Sequence, residues 1–470
     1  MQNERGDGAS GERREGLARL PAVSRVLALG QVADLARLHG PGLVTDLVRE
    51  EIERLRQEIL AGEAAPRGIE PATVAARVTS ALARLLAPRP RAVINATGVV
   101  IHTNLGRAPL STAAAERVAE AARGYVDLEY DLERGGRGDR LAAIEPLFAR
   151  LFPGVAFTVV NNNAAALLLA LHALSPGREV LVSRGELVEI GGSFRVPDIL
   201  AASGALLREV GTTNRTRRSD YERALSTRTG MLLKVHTSNF RIVGFTAEAS
   251  VADLAEVSRK SGLPLVVDWG SGDLVDLAPL GIADELPVAR ILAAGADVVT
   301  FSGDKLFGGP QAGFLVGRAT LVERLRRDPL SRALRLDRLR IGALAETLAA
   351  HLRGRAVEEV PVLRMIAISR KELDRRARSV VREIQAAAPG ARLSVIDGVS
   401  RTGGGSSPTG ERPTRLVAVE GEPGALERRL RGSSPPVIGR IQDGRFLLDL
   451  RTVLPEEQPT LVARLIDALS

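Results

Sequence analysis

The sequence predicts an α/β protein built on a mostly parallel sheet, with a helical module before it and a smaller α+β domain after it. Between residues 155 and 301, short apolar runs at 155–160, 179–183, 205–210, 231–235, 263–268 and 298–301 alternate with helical stretches, the rhythm of βαβ units. The run at 298–301 reads as a buried strand. On either side of residues 155–301 the pattern changes. From residue 20 to about 61 apolar residues recur at intervals of three and four, and beyond 350 an Arg-rich helical stretch leads into a second, shorter alternation.

Taken in order, residues 1–15 are rich in Gly, Glu and Arg and are expected to be disordered. The segment from Leu20 to about Ala61 reads as short amphipathic helices interrupted at Gly40-Pro41-Gly42, which makes residues 1–68 a helical module. Its acidic and basic residues nearly cancel, so composition alone does not mark it as RNA-binding. Residues 69–91 read as a linker with a helix at 73–86, bounded by Pro66-Arg67-Gly68-Ile69-Glu70-Pro71 and Pro88-Arg89-Pro90.

A large domain is expected over 92–350. It opens on a strand-like run from Val93 that ends in turn residues, with Arg107 the fixed charge beyond it, and a helix at 111–122 stops at Gly124. The glycine-rich stretch from Leu132 to Arg140 has two readings, a flexible connector or a loop around a ligand. Ser250-Val251-Ala252-Asp253 is a capping box for a helix ending at Gly262. Residues 351–470 form the small α+β domain, with helices at 367–388, 424–431 and 458–469 and strands at 392–396, 414–419 and 445–450. The segment from Gly403 to Gly410 is expected to be a mobile loop.

The chain of 470 residues has no apolar run of membrane-spanning length and no signal-peptide core at its start, so a cytoplasmic protein without a membrane partner is expected. It has no cysteine, which excludes disulfides, thiolate metal sites and a cysteine nucleophile, and its five histidines are scattered, so no metal site is expected. The net charge of +8 fits either an anionic partner or a surface of solvated arginines. The least balanced stretch, from Arg324 to Arg340, is open to the same two readings.

Chemistry concentrates at residues 295–317. An apolar strand at 298–301 runs into Ser302-Gly303-Asp304-Lys305, then Gly308-Gly309-Pro310 turns the chain into a second apolar run at 314–316. The chain has four lysines, at 234, 260, 305 and 371, while the other sixty of its 64 basic residues are arginine. An amine that must lose its proton to form an imine has to be lysine, because guanidinium is too basic. Lys305 taken alone reads as a surface residue. Upstream, however, a strand ends in Asp268-Trp269-Gly270, and another runs into Asn161-Asn162-Asn163-Ala164 at the start of an Ala/Leu helix. Pyridoxal phosphate chemistry needs a lysine for the Schiff base and an acid against the pyridinium nitrogen. The asparagine amides and helix N–H groups, with Ser302, suit a phosphate. A strand-end phosphate site, then Asp268, then Lys305, is the chain order of a fold-type-I pyridoxal phosphate enzyme.

Six segments make a more specific match: Asn95-Ala96-Thr97-Gly98 with His102-Thr103-Asn104-Leu105-Gly106-Arg107; Val160-Asn161-Asn162-Asn163-Ala164; the run from Ser183 to Pro197; Gly211-Thr212-Thr213-Asn214-Arg215-Thr216; Lys234-Val235-His236-Thr237-Ser238-Asn239; and Ser302-Gly303-Asp304-Lys305. Together with Pro436-Val437-Ile438-Gly439-Arg440, they resemble the bacterial selenocysteine synthases, the L-seryl-tRNA(Sec) selenium transferases, from about Leu20 to the end. The resemblance implies Lys305 as the Schiff-base lysine, a functional role for Asp304, tRNA binding by the N-terminal module, and dimers assembled into a decameric ring.

It also implies the reaction. The seryl amine displaces Lys305, the freed lysine removes the α proton, loss of the hydroxyl leaves an aminoacrylyl-tRNA, and selenium from selenophosphate adds at the β carbon. Arg107, Arg332 and Arg335 are the candidates for docking the anionic selenium donor, because guanidinium matches phosphate oxygens. His236, Glu186 and Arg184 stand near strand ends with their roles open between cofactor contact and structure, Thr212 and Thr213 are candidates for a subunit contact, and Trp269 reads as packing. A lyase on the same scaffold acting on a small amino acid or sugar acid is the nearest alternative, and a tRNA-binding scaffold without catalysis is another, whose mark would be damage to Lys305 or Asp268. Both residues are intact. No DNA partner is expected.

Overall fold

The computed structural model describes residues 14–62, 69–190, 194–407 and 410–470. The disorder expected for residues 1–15 falls, apart from the last two, outside the described residues. The chain divides into two compact units, Met1–Ala92 and Val93–Ser470.

The first unit is a small helical bundle of Val23–Leu27, Gly30–His39, Pro41–Ala61 and Pro71–Leu86. Proline at the first turn of the last two removes an N–H that would have no intrahelical partner. The stretch expected to be a linker helix is instead part of the bundle. Its Val74, Ala75, Val78 and Leu82 are buried with Val26, Val32, Val44, Val48, Ile52 and Leu55. Spacing at three and four gives Pro71–Leu86 one apolar face, and burying such a face stabilises by about 1.5–3 kcal/mol per large side chain, which a solvated linker would forgo. Arg77 Nη2 adds hydrogen bonds of 2.9 Å to both carboxylate oxygens of Glu58.

The second unit holds a seven-stranded sheet. Its strands are β1 (Ala156–Val160), β2 (Glu179–Ser183), β3 (Leu206–Val210), β4 (Thr229–Val235), β5 (Leu265–Asp268), β6 (Val298–Ser302) and β7 (Gly313–Gly317), in the spatial order β1-β7-β6-β5-β4-β2-β3. Strands β3, β2, β4, β5 and β6 pair in parallel, and β7 runs antiparallel to both β6 and β1. The central strands are buried along their whole length, which accounts for their unbroken apolar runs. One face packs around Phe148, Phe157, Phe301, Phe307 and Phe314, the other around the almost wholly buried helix Asn163–Leu174.

The C-terminal sheet orders Arg440–Gln442, Arg445–Asp449, Glu411–Val419, Leu393–Gly403 and Val99–Ile101. The strand expected at 392–396 continues to Gly403, because Asp397 to Gly403 alternate polar and small residues that hide its periodicity. Residues 94–101, assigned from sequence to the large domain, pair instead with C-terminal strands: Ile94 with Val437, Asn95 with Ile438, Val99 with Arg401 and Ile101 with Gly403. Ile94 and Ala96 bury their side chains in the C-terminal core beside Val437 and Phe446. Arg451 is buried in the same part of the fold, where its guanidinium donates to Ser400 Oγ and to the carbonyls of Met365, Ile368 and Pro413.

Candidate active site

The parallel strands β5 and β6 end side by side, with Asp268 in register with Thr300. Asp268 closes β5 and Lys305 stands in the turn just beyond β6, so the rule that sites form at the carboxyl ends of parallel strands holds here. Asp268 Oδ1 accepts from Asn163 Nδ2 at 2.7 Å and from Thr300 Oγ1 at 3.0 Å. Burial still pushes this carboxyl above its usual range, and the two hydrogen bonds and the charge of Lys305 only partly oppose it. Burial likewise pulls the Lys305 ammonium down, against the favourable charge of Asp268 and with the help of Arg107.

Lys305 Nζ donates to the Gly405 carbonyl at 2.8 Å. Gly405 belongs to the loop expected to be mobile, of which residues 408 and 409 lie outside the described residues. Gly405, Ser406 and Ser407 are buried. A side chain at Gly405 would meet Lys305 Nζ at 2.6 Å, and one at Gly270 would come within 3.4 Å of the same atom and 3.7 Å of Asn163 Nδ2. The amine therefore lies in a cradle that glycines keep clear.

The helix Asn163–Leu174 starts at this place. The Asn162 side-chain oxygen caps it by accepting from Ala165 N at 2.9 Å, and the Asn163 amide is engaged with Asp268. The side-chain amides expected to hold a phosphate thus have structural partners. The main-chain N–H groups of Asn163 and Ala164, which no helical carbonyl can reach, are what the helix end offers an anion. Ser302 is buried, three residues before the lysine.

Arg107 reaches the same turn from a different segment. Strand Val99–Ile101 leads into the 3₁₀ turn Thr103–Leu105, and Arg107, with φ of 65°, donates to Asp304 Oδ2 at 2.8 Å while Ala108 N donates to the Asp304 carbonyl at 3.3 Å. Asp304 thereby holds Arg107 beside the lysine. Arg332 and Arg335 come from the segment after β7, whose Leu334 carbonyl accepts from Asn161 N at 2.9 Å. Arg332 is exposed on Pro329–Ala333, and Arg335 bridges Val160 at the end of β1 and lies 3.5 Å from Glu129, which Arg140 also pairs. Among the described residues no hydrogen bond or ion pair links either arginine to Lys305.

Of the residues left open, Glu186 and Lys234 form a buried ion pair at 2.9 Å, and Glu186 also accepts from Val235 N. Burial works against the Lys234 ammonium, and the carboxylates of Glu186 and Glu248 outweigh it. Arg184 pairs with Glu209 at the surface, and Thr212 donates to the Arg215 carbonyl. Trp269 is buried with His236 stacked on it, ring centroids 3.9 Å apart. Sequence reasoning missed Asn163 as the partner of Asp268, the Gly405 carbonyl, and the buried acids Asp273 and Glu285. Among the described residues no group of His, Asp and Glu is placed to hold a metal ion, and no helix is long and apolar enough to cross a membrane.

Residues 93–454 match the family L-seryl-tRNA selenium transferase, and residues 17–56 match the family described as selenocysteine synthase N terminal. The chain belongs to the L-seryl-tRNA selenium transferase family. Relatives named L-seryl-tRNA(Sec) selenium transferase agree over nearly the whole length. That of Geobacter sulfurreducens is 49% identical over 96% of this chain and 99% of its own, and that of Geobacter metallireducens is 48% identical over 95% and 98%. Among solved structures, D-glucosaminate-6-phosphate ammonia-lyase superposes with a TM-score of 0.57 at 23% identity, covering 83% of this chain and 98% of that one. That likeness concerns the fold, which is the fold-type-I architecture of pyridoxal phosphate enzymes.

Proposed function

We propose that this chain converts L-seryl-tRNA(Sec) to L-selenocysteinyl-tRNA(Sec), with pyridoxal 5'-phosphate as cofactor and selenophosphate as the selenium donor. The observation that carries the reading is the meeting of a desolvated lysine and a buried, hydrogen-bonded aspartate at adjacent strand ends, in a chain whose relatives at nearly half identity bear that enzyme name.

The residues fit the cofactor. Lys305 would hold it covalently in the cradle left by Gly270 and Gly405. Asp268, raised by burial, is ready for a cationic ring N–H as its partner, and its two hydrogen bonds aim it. The N–H groups of Asn163 and Ala164, with the hydroxyl of Ser302, would face the phosphate, and Asn162 holds the helix end that presents them. When bound, the cofactor acts as an electron sink that makes the α proton of serine removable. Lys305, whose proton affinity burial lowers, is the base for that proton. Arg107 is the nearest guanidinium for the anionic selenium donor, with Asp304 fixing its direction. Arg335, bridged to Val160 beside Asn161, and Arg332 on the preceding turn are the further candidates for that anion.

The N-terminal bundle serves as the tRNA-binding module, the subunits assemble as dimers into a decameric ring, and the enzyme works in the cytoplasm. The decisive experiment incubates purified protein with the cofactor, selenophosphate and both seryl-tRNA(Sec) and seryl-tRNA(Ser), then identifies the amino acid on each tRNA. Selenocysteine on the first alone is expected. No product, with spectral changes on adding small amino acids or sugar acids, would refute the assignment in favour of a lyase. Lys305→Ala should lose the absorbance of the bound cofactor, and deletion of the whole first unit, residues 1–92, should abolish use of seryl-tRNA while the cofactor still binds.

A further inference from the structure

Serine's β-hydroxyl leaves poorly as hydroxide, so its departure calls for a proton donor, and a donor separate from Lys305 leaves the lysine free to act as base. The structure contains an unused pair of groups suited to this. Glu285 is 1% exposed, accepts a short hydrogen bond from Ser271 Oγ at one carboxyl oxygen, and has no partner for the other. Ser271 in turn accepts from Leu306 N at 3.0 Å, the residue after Lys305, so Glu285 is built into the turn that carries the lysine. Facing it is His236, whose Nδ1 is buried, has no hydrogen-bond partner and lies 3.9 Å from Glu285 Oε2. The imidazole is fixed by stacking on Trp269 and by its own main-chain N–H donating to the Asp268 carbonyl at 2.9 Å. Its ring lines a cavity of about 740 Å³ bounded also by Lys234, Trp269 and Phe240.

We propose, resting on the functional reading above, that Glu285 and His236 form a proton relay that protonates the departing β-hydroxyl, with Glu285 the positioning and proton-holding residue and His236 the donor. In the resting enzyme Glu285 carries the proton and His236 is neutral with its hydrogen on Nε2. As Lys305 takes the α proton, the electron pair left at Cα forms the Cα–Cβ double bond and the Cβ–O bond breaks with its pair on oxygen. That oxygen takes the Nε2 proton and leaves as water, and Nδ1 takes the proton of Glu285, which becomes a carboxylate. A proton from solvent, carried in through water in the cavity, then returns to Glu285 as the imidazole shifts its hydrogen from Nδ1 back to Nε2, while the α proton stays on Lys305. The separation of 3.9 Å is beyond hydrogen-bond reach, so the transfer requires the two groups to close by about 1 Å when substrate binds.

The surroundings agree. Burial pushes Glu285 up to about 7, against its bond from Ser271 and the charge of Lys305, while Asp284 and Asp273 face it with the same sign. Burial, with Lys234 and Lys305, pulls His236 down to about 4, with Asp284 opposing. Near neutral pH a large share of Glu285 therefore still carries a proton while the imidazole is neutral, with one nitrogen free to accept and the other able to donate.

The test compares two substrates on the full-length holoenzyme, seryl-tRNA(Sec) and the same tRNA charged with β-chloroalanine, whose chloride leaves without a proton. Glu285→Gln and His236→Asn should bind the cofactor with unchanged absorbance, lose about a hundredfold or more in elimination from seryl-tRNA, and process the chloro substrate at nearly the wild-type rate. Equal loss on both substrates, or no loss on seryl-tRNA, overturns the relay. A second readout needs no turnover. Nitrogen NMR of the wild-type enzyme, assigned by loss of one of five histidine signals in His236→Asn, should show His236 protonated at Nε2. Protonation at Nδ1 overturns the proposal. A wild-type enzyme inert toward seryl-tRNA would sink the functional reading, while the tautomer still reports on the pair.

Discussion

Gly405→Ala is the substitution that bears most directly on how Lys305 is held. Gly405 has φ of 81°, a conformation that costs an alanine about 1 kcal/mol or more. The new Cβ would lie 2.6 Å from Lys305 Nζ and 3.1 Å from its Cε, inside any contact distance, so the lysine must swing away. That movement breaks the 2.8 Å hydrogen bond to the Gly405 carbonyl, a charge-assisted bond contributing about 1.5–3 kcal/mol. The two effects together predict about 2–4 kcal/mol less stability for the cofactor-free protein, read as a lower urea midpoint at unchanged slope. An amine displaced by about 1 Å should also cost turnover about a hundredfold. Gly404→Ala is the control, since its Cβ would meet only Thr103 Oγ1 at an ordinary 3.5 Å. Equal urea midpoints and equal turnover in the two variants would refute the idea that this loop shapes the lysine site.

Arg451→Met should destabilise the second unit by about 3–5 kcal/mol in urea, because it strips the carbonyls of Met365, Ile368 and Pro413 of a buried donor. Leu82→Ala should lower the stability of the N-terminal bundle by about 2–5 kcal/mol, whereas a side chain on a free linker would cost almost nothing. Burial lifts Asp273 to about 8, so between the unfolded value near 4 and about pH 8 the native protein holds a proton that the unfolded chain has lost. Stability from this group is therefore full at low pH and falls as pH rises through that window, by at most about 1.4 kcal/mol per pH unit. Asp273→Asn, which keeps an oxygen for Val275 N, should flatten this decline in urea titrations at pH 6 to 9, and an unchanged slope would contradict it.

The central strands of the large sheet were legible because burial on both faces keeps them largely apolar, and their ends then drew attention to Asp268 and Lys305. The helix at Asn163 was legible for the same reason. What stayed hidden depends on contacts remote in sequence. The two-residue strand at Ile94 is too short to have a period and becomes a strand only beside Val437. Nothing local tells a buried glutamate such as Glu285 from a solvated one, since the difference lies in Ser271 and the walls around it. Gly405 sits in a run of glycine and serine whose composition matches a flexible loop, and only its contact with Lys305 gives it a role. The helix Pro71–Leu86 has a clear amphipathic face, but the flanking prolines suggested a spacer where the face in fact completes a core.

The pairing of residues 94–101 with strands beyond 400 bears on how the protein is made. A ribosome extends the chain at about 5–20 residues per second and releases the front of the second unit long before Val437 and Arg401 exist. The strand at Ile94 must therefore wait for its partner until Val437 has been synthesised, although Arg107 and Ala108 can already reach Asp304, and its docking closes a loop of more than 300 residues. A nascent or truncated chain ending before residue 437 can build β1 to β7 with Lys305 and Asp268 at their ends, yet leaves the Ile94 strand without its partner. Completing the C-terminal sheet is thus the step that fixes the strand leading to Arg107.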